Sequence, residues 1–237
     1  MDGQTYVLVH GAFHGGWCWS DVAAQLRREG HSVFAPSLTG LGDRSHLATA
    51  AVTLRTHILD IANLIKWEGL RDIVLCGHSY GGMVIAGVAE EVGAENISSI
   101  VFFDAILPKD GLALVDYPPP QNAEGKGFDP HLEDGLVYPP DAAAFGLELE
   151  LRDYVARQVT PQPLGTFTEK LPLTGAYENV RKKTYVLCSG SNGLSYLSVC
   201  AEESRARPGW SVVELQCGHD AMIEKPASVA RLLLEAV

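Results

Sequence analysis

The chain has 237 residues, of which 46% are hydrophobic and 20% are charged, with 18 basic and 29 acidic side chains and a net charge of −11. These values are typical of a folded globular protein, and they exclude a disordered or fibrous chain. The negative charge argues against nucleic acid as a partner, because phosphate backbones are bound by clustered lysine and arginine.

Membrane and metal-binding classes are also disfavoured. No apolar run reaches the roughly 18 residues that cross a bilayer. The chain enters a predicted strand at once, without a basic leader or a cleavage site. We therefore expect a cytoplasmic protein with no membrane partner. The five cysteines show no CxxC or mixed His/Cys spacing, so we expect buried thiols and no metal site.

Short apolar segments rich in β-branched residues alternate with longer segments of helical period. Six of the short segments predict strands, at 5–10, 32–36, 72–76, 98–104, 184–188 and 211–215. Apolar side chains at helical spacing predict helices at 54–66, 80–92 and 228–236. This alternation predicts a mostly parallel six-stranded sheet with helices on both faces.

The interval 108–182 breaks the alternation. It contains no clear core strand and most of the prolines, including the runs at 118–120 and 139–140. A segment of this length is too long for a bare loop in a compact domain. We predict a small lid inserted after the fourth strand, with a short helix near 142–158, within one domain spanning 1–237.

The segment 77–81 reads Gly-His-Ser-Tyr-Gly and lies between the third predicted strand and the helix at 80–92. In that context the G-x-S-x-G pattern is typical of a nucleophilic serine, here Ser79, on a sharp strand-to-helix turn. The two glycines let the chain fold this tightly in a strained conformation. The turn would present the hydroxyl at the carboxyl end of the sheet, where open α/β sheets bind ligands.

A serine hydroxyl needs a base to take its proton, and His219 is the candidate. It follows the last predicted strand and precedes the last helix. The other histidines are poorer candidates. His10 and His14 flank the loop after the first strand, and we expect His78 to point away from the turn. The remaining four lie in surface-like contexts, namely His31, His46, His57 and His131.

Two backbone amides would hold an oxyanion formed on the substrate. One comes from Tyr80, the residue after the nucleophile, and we assign the other to Ala12 in the loop after the first strand (10–17, the first loop). Glycines in the first loop let it run close to a substrate. We predict three further side chains of this loop as substrate contacts, namely Phe13, His14 and Trp17.

A carboxylate that orients His219 is expected after the fifth strand, but 189–193 reads Ser-Gly-Ser-Asn-Gly and contains none. Asn192 could orient an imidazole but would not stabilise its cation as an anion does. Asp104 is the preferred candidate, because it closes an apolar strand beside the nucleophile strand, where an unpartnered carboxylate is costly. It could instead cap the following turn or hold the lid. Asp220 ranks third, since sequence neighbours rarely face each other.

These segments resemble the α/β-hydrolase superfamily, and within it the small esterases related to plant methyl-ester esterases and hydroxynitrile lyases. The likeness covers nearly the whole chain. It rests on Val-Leu-Val-His-Gly-Ala-Phe-His-Gly-Gly-Trp at 7–17, Leu-Thr-Gly-Leu-Gly-Asp-Arg at 38–44, the serine turn, and Gly-His-Asp-Ala-Met at 218–222. The resemblance implies an α/β-hydrolase fold with a six-stranded core, a small lid and no cofactor.

The resemblance also separates two chemistries. Hydroxynitrile lyases of this group look to use a threonine after the first-loop histidine and a lysine after the catalytic histidine, where this chain has Gly11 and Asp220. We therefore predict a serine hydrolase that cleaves a small carboxylic ester or lactone through an acyl-enzyme. Two alternatives stay open: a non-hydrolytic cyclase or lyase step at the same site, and a ligand-binding protein with idle catalytic residues.

An apolar pocket is expected near Ser79, framed by Phe13, Trp17, Tyr80 and aromatic side chains of the lid. The partner we expect is accordingly a small molecule, and a homodimer is left open. The lid aromatics, which are equally well explained as lid core, are Tyr117, Phe128, Tyr138, Phe145 and Tyr154.

Overall fold

The structure is a computed structural model that describes residues 3–118, 131–190 and 195–236. The strands within these ranges are β1 (Thr5–Val9), β2 (Ser32–Phe34), β3 (Ile73–His78), β4 (Ile97–Phe103), β5 (Leu132–Glu133), β6 (Leu136–Val137), β7 (Gln162–Pro163), β8 (Lys182–Cys188) and β9 (Trp210–Leu215). Six of them form the main sheet in the order β2-β1-β3-β4-β8-β9, and every neighbouring pair is parallel. The six predicted strands are therefore confirmed, and the sheet is wholly rather than mostly parallel.

The α-helices of the described residues are α1 (Ser20–Arg28), α2 (Leu54–Trp67), α3 (Gly81–Val92), α4 (Leu149–Gln158), α5 (Gly165–Thr168), α6 (Ser195–Arg205), α7 (Ala221–Glu224) and α8 (Pro226–Glu235). Of these, α2, α3 and α8 were predicted. The helix expected near 142–158 is a short 3-10 turn, Ala142–Phe145, followed by α4. In the part of the chain that the structure describes, no helix combines the length and the apolar character needed to cross a bilayer.

Alternate side chains of the central strands enter two apolar layers, as the pleat of a strand requires. Val7 and Val9 of β1 pack in the layer that contains α2, α3 and α6, whereas Tyr6 and Leu8 pack in the layer that contains α1, α7 and α8. Helices thus cover both faces of the sheet, which explains why its central strands β1, β3 and β4 are mostly apolar.

The described residues between β4 and β8 make up the predicted lid. Its strands β5, β6 and β7 make a small antiparallel sheet. This sheet was not predicted, because strands of two residues are too short to show an alternating pattern. The lid shares an apolar cluster with Phe13 of the first loop, and its members in that cluster are Val137, Ala142, Phe145, Leu147 and Val155. The lid therefore packs directly on the loop that follows β1.

Candidate active site

Ser79 lies on the turn between β3 and α3. Its φ of 53° falls in the left-handed region, which costs a residue with a side chain roughly 1–3 kcal/mol. A Cβ on Gly77 would lie 2.5 Å from the carbonyl oxygen of Gly81, so the turn is too tight for a side chain there. The amides of Gly82 and Ile106 both donate to the Ser79 carbonyl oxygen at 3.1 Å. The surrounding backbone thus enforces the strained conformation.

The first loop runs directly beside this turn. A Cβ on Gly11 would lie 3.0 Å from the Cβ of Ser79 and 2.8 Å from Nδ1 of His78, and this close approach requires glycine. Ala12 is the next residue along the loop, and Tyr80 is the next residue after Ser79. Both predicted oxyanion donors are therefore close to Ser79: Tyr80 follows it in the chain, and Ala12 follows Gly11, which lies against it.

His219 and Asp104 are joined by a short hydrogen bond, with 2.6 Å between Nδ1 of the imidazole and Oδ2 of the carboxylate. Asp104 is fully buried, and its other oxygen accepts from the amide of Cys188 at 2.9 Å. Both carboxylate oxygens are thus partnered, as a buried charge requires. A proton on Nδ1 of His219 leaves Nε2 as the acceptor in the neutral ring.

The sheet topology explains how these residues meet. Asp104 follows β4, Cys188 ends β8, and His219 follows β9, while β3 leads into Ser79. These four strands are neighbours in a parallel sheet, so their carboxyl ends lie at one edge. Asn192, the alternative partner of His219, lies outside the described residues.

His78 lies against His219. The ring centroids are 4.4 Å apart, and Nε2 of His78 donates to the carbonyl oxygen of His219 at 3.0 Å. We expected His78 to point away from the turn, and no contact with His219 was predicted for it. Burial, and after it the imidazoles of His219 and His14, hold the pKa of His78 well below its ordinary value. A neutral His78 thus fixes the backbone at His219.

Asp220 pairs with His14 instead of its neighbour His219. Nε2 of His14 lies 3.0 Å from Oδ2 of Asp220, and Nδ1 lies 2.7 Å from the carbonyl oxygen of Ala12. Because both partners are acceptors, His14 donates from both nitrogens as an imidazolium. Burial lowers the pKa of His14, but the charge and hydrogen bond of Asp220 outweigh burial and raise it. The hydrogen bond from Nδ1 of His14 thereby holds the carbonyl group of Ala12.

His57 is fully buried, so the expectation of a surface-like context is wrong. Its Nδ1 accepts from the hydroxyl of Tyr80 and its Nε2 donates to the carbonyl oxygen of Thr39, both at 2.9 Å. Burial lowers the pKa of His57 to about 4, which keeps the ring neutral. The missed signal is its position on α2, on the apolar face between Leu54 and Ile61. The Tyr80 side chain is consequently anchored in the core.

Aromatic side chains surround the first loop. Trp17 stacks on His14 with ring centroids 5.2 Å apart and meets Tyr154 edge-on at 5.7 Å. Phe13 is buried and packs on Phe167, with centroids 5.8 Å apart. Of the predicted lid aromatics, Tyr117 and Phe145 are buried, Tyr138 is partly buried and Tyr154 is exposed, while Phe128 lies outside the described residues.

Trp17 also lines a cleft of about 650 Å³ between α1 and α4. Arg27, Asp43 and Arg157 contribute charged groups to its walls. Ser79 is not among the described residues that line it, so this cleft is separate from the candidate catalytic residues.

Comparison with known proteins places the chain in a family. It matches the Alpha/beta hydrolase family over residues 6–232. A carbendazim hydrolyzing esterase from Nocardioides sp. (strain SG-4G) is 42% identical over 97% of this chain and 98% of that protein. Methylesterase 10 of Arabidopsis thaliana is 26% identical over 97% of this chain and 90% of that protein.

Solved structures agree with this match. An extracellular alpha/beta-hydrolase from a Paenibacillus species superposes with a TM-score of 0.78 and 25% identity, and the superposition covers 98% of each chain. The chain belongs to the alpha/beta hydrolase family, as the sequence predicted, and its esterase relatives support the predicted enzyme class, a carboxylic ester hydrolase.

Proposed function

We propose that this protein is a serine hydrolase that cleaves a small carboxylic ester or lactone through an acyl-enzyme intermediate. The observation that carries the proposal is the 2.6 Å hydrogen bond between His219 and Asp104, at the sheet edge where the strained turn of Ser79 lies. A buried carboxylate on Nδ1 orients an imidazole so that Nε2 can act as a base.

In the proposed reaction, the hydroxyl oxygen of Ser79 attacks the carbonyl carbon of the substrate while Nε2 of His219 takes its proton. Asp104 stabilises the resulting imidazolium. The amides of Ala12 and Tyr80 donate to the oxyanion. The proton on Nε2 then passes to the leaving alkoxide. Water, deprotonated by the same nitrogen, attacks the acyl carbonyl, which releases the acid and restores the serine.

The relatives support a small ester as substrate, since one is a carbendazim hydrolyzing esterase and another a methylesterase. Phe13 and Trp17 are the proposed contacts with apolar parts of the substrate. His14 was also predicted to contact the substrate, but its hydrogen bonds to the Ala12 carbonyl oxygen and to Asp220 favour a role in supporting the first loop. A hydroxynitrile lyase is disfavoured, because the residue after His219 is Asp220, whose carboxylate is engaged by His14.

Replacement of the nucleophile tests this function. With 4-nitrophenyl acetate as substrate, Ser79→Ala is expected to lower kcat on the order of 10³-fold or more, because no acyl-enzyme can form. Ser204→Ala is the matched control, since it removes a buried serine hydroxyl on α6 that donates to the carbonyl oxygen of Cys200 in the same helix. Retention of most of the esterase activity by Ser79→Ala would refute the assignment.

A further inference from the structure

The lid binds the backbone of Phe13, the residue after Ala12, through both its amide and its carbonyl group. Its φ of 67° is in the left-handed region. The Phe13 amide donates to Oε1 of Gln162 at 2.8 Å, and its carbonyl oxygen accepts from the amide of Thr160 at 2.9 Å. A side-chain-bearing residue keeps such a conformation only where its surroundings enforce it. Here the surroundings include the lid segment that contains β7.

The orientation of the Gln162 side chain is determined by its second partner. Gln162 is fully buried, and its Nε2 donates to Oγ1 of Thr166 at 2.8 Å. The Thr166 hydroxyl donates its own hydrogen bond to the carbonyl oxygen of Pro163 at 2.7 Å. Thr166 must therefore accept from the amide NH₂ of Gln162, which leaves Oε1 to face the Phe13 amide.

The same part of the lid also contacts the second proposed oxyanion donor. The ring of Phe167 packs on Phe13 with centroids 5.8 Å apart and stacks on Tyr80 at 6.3 Å. Residues 160–167 thus contact Phe13, the residue after Ala12, and the ring of Tyr80.

We propose that Gln162 is a positioning residue that holds the first loop in the geometry in which the Ala12 amide meets the oxyanion. The proposal rests on the proposed function, because it assigns the Ala12 amide to the oxyanion. Donors must lie about 2.7–3.1 Å from the developing oxyanion. A displacement of about 1 Å can cost a factor of roughly 10² in rate. Loss of the Gln162 acceptor would remove this hydrogen bond from the buried Phe13 backbone, one of the contacts that hold its strained φ.

Gln162→Met tests the proposal, since methionine keeps the length of the side chain but places a methyl group where Oε1 accepts the Phe13 amide hydrogen bond. We expect kcat for 4-nitrophenyl acetate to fall about 10- to 100-fold with KM within about threefold. The affinity for phenylboronic acid, which forms a tetrahedral adduct on a serine, should fall by a similar factor, because that adduct uses the same donors.

Val137→Ala is the matched control. Val137 is buried opposite Gln162 in the β6–β7 pairing and shares the cluster of Phe13, so its truncation loosens lid packing but keeps the Gln162 amide. We expect this variant to lose thermal stability, while kcat, measured well below its Tm, stays within about threefold of wild type.

Unchanged kcat and boronate affinity in Gln162→Met would overturn the proposal, and so would equal losses in the two variants. If Gln162→Met does not fold, Gln162→Asn, whose shorter side chain withdraws the acceptor, is measured in the same way. The result also separates the two claims. An inactive Ser79→Ala with a fully active Gln162→Met rejects the positioning role alone, whereas an active Ser79→Ala rejects the proposed function and the positioning role with it.

Discussion

Within the described residues, four buried histidines besides His219 lie around the first loop and the serine turn, and burial and hydrogen-bond partners together decide their charge. His14 faces two acceptors, the Ala12 carbonyl oxygen and the Asp220 carboxylate, and therefore carries a proton on each nitrogen. The pKa values of the other three are lowered by burial, which keeps them neutral, namely His10, His57 and His78. A single buried imidazolium thus supports the loop that contains Ala12.

The charge of His14 predicts how stability depends on pH. Its pKa in the folded state lies above the ordinary value of 6.5. A group whose pKa is raised by folding stabilises the protein fully below its unfolded pKa, and this stabilisation is lost as pH rises through the folded pKa. We expect wild type to be most stable, relative to the double variant His14→Gln/Asp220→Asn, near pH 6. The difference should shrink as pH increases.

Urea denaturation of both proteins between about pH 6 and about pH 9 measures this difference. The double variant replaces both charges with neutral amides, so that no unpaired buried charge complicates the comparison. A difference in the free energy of unfolding that stays constant across this range would contradict the imidazolium assignment.

At the scale of elements, the ends of four parallel strands bring the candidate residues together. β8 lies between β4 and β9, so the Asp104 side chain crosses the end of β8 to reach His219. Where the side chain crosses β8, the Cys188 amide donates to the Asp104 carboxylate. This arrangement explains how an aspartate after β4 can support a histidine after β9, although the segment 189–193 has no carboxylate.

Asp104→Asn tests this arrangement. An amide at this position cannot stabilise the imidazolium and favours the wrong tautomer of His219, so we expect kcat to fall on the order of 10³- to 10⁴-fold. Asp116→Asn is the control, because that carboxylate caps the Ala113 amide at 2.8 Å in the lid. Asn192→Ala should keep the wild-type rate. Steady-state kinetics distinguish these variants, and a wild-type rate in Asp104→Asn would exclude Asp104.

At the scale of the whole molecule, the sequence predicts the main sheet well because each strand is recognisable from the residues within its own short segment. A strand covered on both faces is almost continuously apolar, and this pattern is clearest in the segments of β1, β3 and β4, which are almost wholly buried. The edge strands β2 and β9 are partly exposed. The serine turn was visible for the same reason, since Gly77 and Gly81 flank Ser79 within five residues. Four α-helices of the described residues, α1, α5, α6 and α7, were not among the predicted elements.

The contacts that complete the site are not local, and the sequence could not predict them. His14 and Asp220 are 206 positions apart, and Phe13 and Gln162 are 149 apart. A glutamine followed by a proline in β7 gives no sign of a strand or of a contact with the first loop. Such pairs follow from how the lid packs on the main sheet.

The central claim is that Ser79 is acylated with the help of His219. Mass spectrometry of the protein, quenched shortly after mixing with 4-nitrophenyl acetate, tests it most directly. Wild type is predicted to carry one acetyl group on the peptide that contains Ser79, and His219→Ala to gain it on the order of 10³-fold more slowly. Release of nitrophenol without an acetyl group on Ser79 would contradict the claim.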